Sequence, residues 1–228
     1  MVKSFKQYLD EEILNSIFDN YEHTQSVIDE AYYLTPAKPQ PWGAIKLSSG
    51  SKKETTLEAA KLIYAKARKI VENALPYFNR EMKKYAQHGK FISNIKSEQS
   101  FIDKVVNRNK PADKIRDMLR GAILLETKED VDVQVDIMRR RLKIVDYEYK
   151  GEGTSEFGYY GSHHLDILLE PHGVIAEVQV MHRKLWHYKE PAHDIYKKYG
   201  SGTNTSISAD IRKRDLAYSR ELFSRGNN

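Results

Sequence analysis

The chain of 228 residues contains no cysteine. Disulfides, a thiol nucleophile and Cys-ligated zinc or iron–sulfur centres are therefore excluded, and any metal must be held by carboxylates, imidazoles or phosphates. That favours a hard ion such as Mg2+. Long apolar runs are also lacking. No stretch approaches the roughly 20 residues that cross a bilayer, and acidic side chains run through residues 1–30, unlike a secretory signal. A soluble, cytoplasmic protein with no membrane partner is expected. The familiar nucleotide and hydrolase signatures are missing too: there is no Gly-x-x-x-x-Gly-Lys-Ser/Thr, no Gly-x-Gly-x-x-Gly opening a helix, no His-Glu-x-x-His and no Gly-x-Ser-x-Gly. Any nucleotide chemistry here runs without a P-loop or a Rossmann turn.

Charge and apolar content are plentiful. With 40% hydrophobic and 30% charged residues the chain can build one large or two small cores, and 37 Lys+Arg against 32 Asp+Glu leave a net +5. This excess attracts polyanions without reaching the density of a nucleic-acid coat, so nucleotides and RNA are both admissible partners.

Apolar residues at helical spacing (Phe5, Leu9, Ile13, Ile17) predict a helix from Ser4 to about Tyr33, which must end at the prolines of 35–43. Residues 35–54 read as a linker, dividing an N-terminal helical extension (1–54) from a domain over 55–228. In 55–87 a stripe of Leu57, Leu62, Ile63, Ala67, Ile70, Val71 and Leu75 predicts helix, and Pro76 predicts a kink or split into a helix pair. Beyond residue 97 element types alternate. Helices are expected over Ser97–Asn107, Ala112–Leu119, Lys128–Arg140, 183–199 and 208–223. Strands are expected over Gly121–Glu126, Leu142–Tyr149, His164–Glu170 and Val174–Met181, the last two joined by a Pro171-His172-Gly173 turn. The fold class is α+β or α/β, a mixed sheet of four or more strands with helices packed on it.

Period-two geometry puts Val174, Ala176, Val178 and Val180 on one face of a strand, with Ile175, Glu177, Gln179 and Met181 on the other. The preceding strand repeats the pattern, with His164 and Asp166 opposite Leu165, Ile167 and Leu169. A carboxylate on a core strand needs a metal, a cation or a solvated cleft, so Glu177, Gln179, His164 and Asp166 predict a polar cleft, with an ion pair as the plain alternative. Asp117 and Arg120, three apart, predict a helical turn before a strand, where the acid can meet Mg2+ and the arginine a phosphate; a surface ion pair would satisfy the same spacing. Ser97 is a candidate N-cap, with Ser100 and Lys104 on one face of the helix it opens. In Gly158-Tyr159-Tyr160-Gly161 two aromatic rings between glycines can stack on a base or simply pack a corner. Glu190 and His193 match half of a di-metal motif that must occur twice, and here it occurs once.

In this order, Lys96 with Ser100 and Lys104, Asp117-x-x-Arg120-Gly121, Gly158-Tyr159-Tyr160-Gly161-Ser162-His163-His164-Leu165, Glu177-Val178-Gln179-Val180, Trp186 and Glu190-x-x-His193-x-x-Tyr196-Lys197 resemble the synthetase domain of the RelA/SpoT family over about residues 90–200. The resemblance implies a nucleotidyltransferase-like mixed sheet and a Mg2+-dependent pyrophosphokinase that moves the β,γ-pyrophosphate of ATP to the 3′-hydroxyl of a guanosine nucleotide. It implies Mg2+ on Asp117 and Glu177, with Glu177 also taking the hydroxyl proton. Lys96, Lys104 and Arg120, with Ser100, would lie on the ATP side. Tyr160 would stack on the acceptor base, and His164, Gln179 and His193 would line that site.

The pattern departs from the family's usual one at three places. Asp117-Met-Leu-Arg120-Gly-Ala stands for Asp-x-x-Gly-x-Arg, Gly161 takes a commonly basic position, and Met181-His182 replaces Arg-Thr/Ser. These leave two alternatives: a member that pyrophosphorylates the tRNA 3′ end as a toxin, with an antitoxin partner, or one that binds nucleotide or RNA without turnover. A homo-oligomer is compatible with each. Met1–Glu11 also resembles peptides that send internal proteins into phage capsids, which would place the protein first in a virion.

Overall fold

Why a chain with this much charge forms one sheet is clear from its central strands. A computed structural model describes residues 39–42, 56–151, 153, 155–199 and 208–227. The expected helix at Ser4–Tyr33, the capsid-like peptide and most of the expected linker lie outside the described residues.

Helix α1 (Leu57–Lys83) opens on Thr56, whose hydroxyl accepts from the Ala59 N–H (3.2 Å), and ends with Arg80 and Lys83 at its negative pole. Ala60, Ile63, Ala67, Val71, Ala74, Phe78 and Met82 are buried. Two corrections follow. Pro76 does not split the helix, because buried side chains on both sides of it dock on the same core, which outweighs one lost backbone bond. Leu57 and Leu62 lie off the buried stripe and are exposed (49% and 70%).

The five strands are β1 (Gly89–Ile95), β2 (Leu119–Leu125), β3 (Ile144–Lys150), β4 (Ser162–Leu169) and β5 (Val174–His182), in the order β1-β2-β5-β4-β3. The β2–β5 pair is parallel and the other three pairs are antiparallel. Strand β1 was not expected: Gly, Ser and Asn dilute its apolar alternation, and pairing with β2 makes it a strand. The Pro171-His172-Gly173 turn joins β4 to β5 as expected, with Gly173 at φ 62°.

Between β1 and β2 lie α2 (Glu98–Ile102), capped by Ser97 and continuing as a π-helical turn to Asn107, and a 3-10 turn at Ala112–Lys114. The expected helix over Ala112–Leu119 is thus only that short turn. Helix α3 (Lys128–Arg141) is capped by Thr127, while α4 (Arg183–Tyr199) and α5 (Ala209–Asn227) pack on each other.

Helices α1 and α3 cover one sheet face, where Leu119, Ile123, Leu165, Ile167, Ala176, Val178 and Val180 join the main core. Helices α4 and α5 cover one end of the other face, over Ala122, Leu124 and Met181. Part of the expected linker is docked. The β2–β5 pairing begins with Arg120 opposite Glu177, so the start of β5 lacks a β2 neighbour, and the Gln40 side chain replaces one: Nε2 donates to Ile175 O (3.0 Å) and Oε1 accepts from Ile175 N (3.1 Å). Trp42 is fully buried, its indole N–H donating to Ala112 O (2.9 Å). Among the described residues no helix is long and apolar enough to cross a membrane.

Candidate active site

On the sheet face opposite the main core, strand register sorts side chains into transverse rows. One row runs Asn94, Arg120, Glu177, Asp166, Asp146 from β1 to β3; the next runs Ile92, Ala122, Gln179, His164, Glu148. The third (Lys90, Leu124, Met181, Ser162, Lys150) lies where α4 and α5 pack. Polarity therefore rises along the strands away from the α4–α5 pair, which leaves the first row accessible.

Glu177 is the centre of that row and about a quarter exposed (23%). Its Oε1 accepts from Gln179 Nε2 at 2.7 Å, and its Oε2 lies 4.0 Å from His164 Nδ1. His164 is neutral: burial, with Lys189 and Lys150 nearby, pulls its pKa down to about 3. Its Nε2 meets the Tyr159 hydroxyl (3.2 Å), which accepts from Ser162 Oγ (2.7 Å). When Tyr159 donates to Nε2, the imidazole proton sits on Nδ1 and faces Glu177. Arg120 Nε donates to Asn94 Oδ1 (2.6 Å). Arg116 bridges Asp146 (2.8 Å) and Asp166 (2.9 Å). Burial, reinforced by Glu177 and Asp146, still raises the Asp166 carboxyl to about 6 against the pull of Arg116.

A second group lies where β1 ends and β2 begins. Asp117 sits in the turn before that strand, and its Oδ2 accepts from Lys96 Nζ (2.8 Å) and Lys104 Nζ (2.7 Å). Burial pushes the Asp117 carboxyl up, but the two ammonium groups outweigh it and hold it well below the usual carboxylate range. Lys96 is almost completely buried, and its backbone N–H donates to Met118 O (2.9 Å), which continues the β1–β2 pairing into the turn.

No family model matches the chain, and no curated protein matches it. Solved structures do. Small alarmone synthetase 1 from Bacillus subtilis, bound to its product pppGpp, superposes with a TM-score of 0.55 at 16% identity, over 67% of this chain and 87% of that one. The fold is that of the small alarmone synthetases. Small alarmone synthetase 2 from Bacillus subtilis gives a TM-score of 0.51 at 17% identity, over 75% and 94% of the two chains. The Type VI effector Tas1, in complex with its immunity protein, gives 0.53 at 17% identity, over 72% and 95%.

Of the expected site residues, the alarmone-synthetase fold brings Glu177, Gln179 and His164 together, and Asp117, Lys96 and Lys104 together. Arg120 stands beside Glu177, but within β2: the helical turn expected for Asp117 and Arg120 does not form, because Arg120 pairs between Asn94 and Glu177. Ser100 lies in the first turn of α2 and accepts from the capping Ser97 hydroxyl (3.0 Å). Tyr160 is partly buried against the α4–α5 core, and its carbonyl accepts from Asn227 Nδ2 (3.3 Å). Its loop needs its glycines: Gly158 (φ 73°) and Gly161 (φ 82°) are left-handed, and a Cβ on either would collide with α5. The neighbouring Tyr159, partly buried, supports His164 through its hydroxyl. His193 lies farther along α4, stacked on Tyr196 (5.8 Å). Lys189, Arg116 and Asn94 were not anticipated. For Lys189 the only signal was its place three residues after Trp186 on a helix.

Proposed function

We propose that the protein is a Mg2+-dependent pyrophosphokinase that transfers the β,γ-pyrophosphate of ATP to a guanosine 3′-hydroxyl. The observation that carries this is the row Arg120–Glu177–Asp166 next to the Asp117–Lys96–Lys104 group, on an alarmone-synthetase fold. A carboxylate held by an amide, with an arginine on one side and a lysine pair nearby, supplies a base and phosphate-binding cations without a covalent nucleophile.

In the reaction the acceptor O3′ attacks the β-phosphorus of ATP. The bond from that phosphorus to the α,β-bridging oxygen breaks, and AMP leaves. Glu177 takes the O3′ proton. Lys96, Lys104 and Arg120 hold phosphate oxygens, with Ser100 beside them in α2. Tyr160 stacks on the acceptor base, and His164, Gln179 and His193 line that side. Among the described residues no three His, Asp or Glu side chains form an all-protein metal cage. Mg2+ does not need one, because it binds through one or two carboxylates plus phosphates and water, so the hard oxygens of Asp117 and Glu177 suit it. Bound there, it would neutralise charge on the transferring phosphates.

With γ-labelled ATP and GDP, GTP or deacylated tRNA, the protein is expected to release AMP and label one acceptor, and Glu177→Gln is expected to stop both. No AMP with any of the three sinks the proposal.

The tRNA 3′ end is a second reading for the acceptor. A cleft of about 500 Å3 lined by Lys90, Glu126, His182, Arg183, Lys184 and Trp186 opens by the third row of the same face, with Glu126 paired to Arg183. Lys90 and Lys184 there suit a phosphodiester backbone. An antitoxin partner belongs with this reading, as Tas1 has an immunity protein. Label on tRNA but not on GDP or GTP selects it.

A further inference from the structure

Trp186, Lys189, His193 and Tyr196 recur at intervals of three and four along α4 and share one side of it. Lys189 Nζ sits 5.0 Å from the Trp186 ring centroid and 5.2 Å from that of Tyr159, and it donates to Gln179 Oε1. An ammonium has donors and no acceptor, so against a glutamine it selects the carbonyl oxygen and decides which way the amide is turned. With Oε1 committed to Lys189, Nε2 faces Glu177 and donates to it at 2.7 Å. The flipped amide would set a carbonyl against the carboxylate and an NH2 against the ammonium, two repulsive contacts in place of two charge-assisted hydrogen bonds.

We propose that Lys189 is a positioning residue for the transfer reaction: acting through Gln179, it fixes one oxygen of Glu177 and turns Oε2, on the His164 side, toward the acceptor hydroxyl. This rests on the pyrophosphokinase reading above. The aromatic rings help to hold the arrangement, since the Lys189 ammonium lies within cation–π distance of both Trp186 and Tyr159. Burial lowers the ammonium to about 8, and Glu177 opposes that fall, so the charge is present at neutral pH.

Lys189→Met keeps an unbranched stem and removes the charge. In the full-length protein kcat is expected to fall on the order of thirtyfold, the loss of one charge-assisted hydrogen bond felt at the base. KM for ATP should stay within about twofold, because Lys189 holds Gln179 on the acceptor side and none of the ATP-side residues. Lys189→Arg is expected to restore most of the rate. In a Gln179→Leu background, Lys189→Met should cost nothing further, as befits a residue acting through Gln179. Full additivity of the two losses, or a change in KM alone, overturns the proposal.

A readout independent of turnover comes from the side-chain amide of Gln179 in 15N-labelled protein. In the wild type its two protons should be well separated and slow to exchange; in Lys189→Met they should collapse toward solvent-exposed values. If the amide responds in this way but no acceptor yields AMP, the reaction reading fails and the positioning of Glu177 stands. An amide unmoved by Lys189→Met overturns the positioning itself.

Discussion

On the face of the sheet that α1 and α3 cover, β5 presents Val174, Ala176, Val178 and Val180, all fully buried. On the opposite face the same strand presents Ile175, Glu177, Gln179 and Met181, and the middle two stay partly exposed. The two faces share a backbone and a register. They differ in what covers them: two helices seal the first, whereas α4 and α5 seal only the far end of the second. Fully burying a valine or leucine contributes ~1.5–3 kcal/mol, so the first face is where the fold draws its stability. The second face carries charged groups that no apolar core would hold, and each has a named partner: Gln179 for Glu177, Arg116 for Asp166, Asn94 for Arg120. Stability and chemistry are thus separated by a single step along the chain.

Adjacent residues test that separation most severely. Val178→Asp places an unpartnered charge in the sealed core and is expected to cost more than about 4–5 kcal/mol, enough to leave the chain unfolded by circular dichroism. Glu177→Gln, one residue earlier, should keep the melting temperature within a few degrees. Its turnover should fall on the order of 10^2–10^4-fold, the size of a lost general base. A folded Val178→Asp, or a Glu177→Gln protein with normal turnover, would dissolve the division of labour.

The lysine group at Asp117 predicts the next largest effect, and here both functions meet. Asp117→Asn removes the counter-charge of a nearly buried Lys96 and a partly exposed Lys104, and is expected to cost about 3–5 kcal/mol in urea unfolding at pH 7. Because the Asp117 carboxyl is depressed in the folded chain, its contribution is complete above the unfolded value of 3.8, declines below it, and is lost only as pH falls through the much lower folded value. The gap between wild type and Asp117→Asn should therefore close in acid. A gap as wide at pH 2 as at pH 7 would mean that the carboxylate is not what stabilises the turn.

How far these regions were legible in the sequence follows the same division. The alternation in β4 and β5 exposed both the core face and the cleft, because period two is a local property. The order of short motifs then pointed to the fold that the solved structures share. What stayed hidden depends on partners distant in sequence. Strand β1 is too polar to announce itself and exists because β2 pairs with it. Arg120 reads as part of a helical turn until Asn94 and Glu177 flank it. Pro76 reads as a break until the core holds the helix on both sides. Lys189 reads as one more surface lysine, and it gains a role only because α4 lies over Gln179.

The smallest expected effect concerns the Arg116–Asp166 pair at the border of the row. Burial raises the Asp166 carboxyl to about 6, with Glu177 and Asp146 adding to the rise, whereas in the unfolded chain it titrates near 3.8. Between these values the folded protein binds the extra proton, so the stability that the protonated group contributes is complete below about 4 and is lost as pH rises through 6. Asp166→Asn carries a permanently uncharged side chain whose oxygen still accepts from Arg116. Its stability relative to the wild type is expected to improve by about 1–3 kcal/mol between pH 4 and pH 7, and to stay level above that. Urea unfolding at several pH values measures this directly. A difference that stays flat across the window would mean that Arg116 holds Asp166 as an ordinary ionised carboxylate. The row beside Glu177 would then carry one more full negative charge, and the base would work against stronger repulsion than the geometry implies.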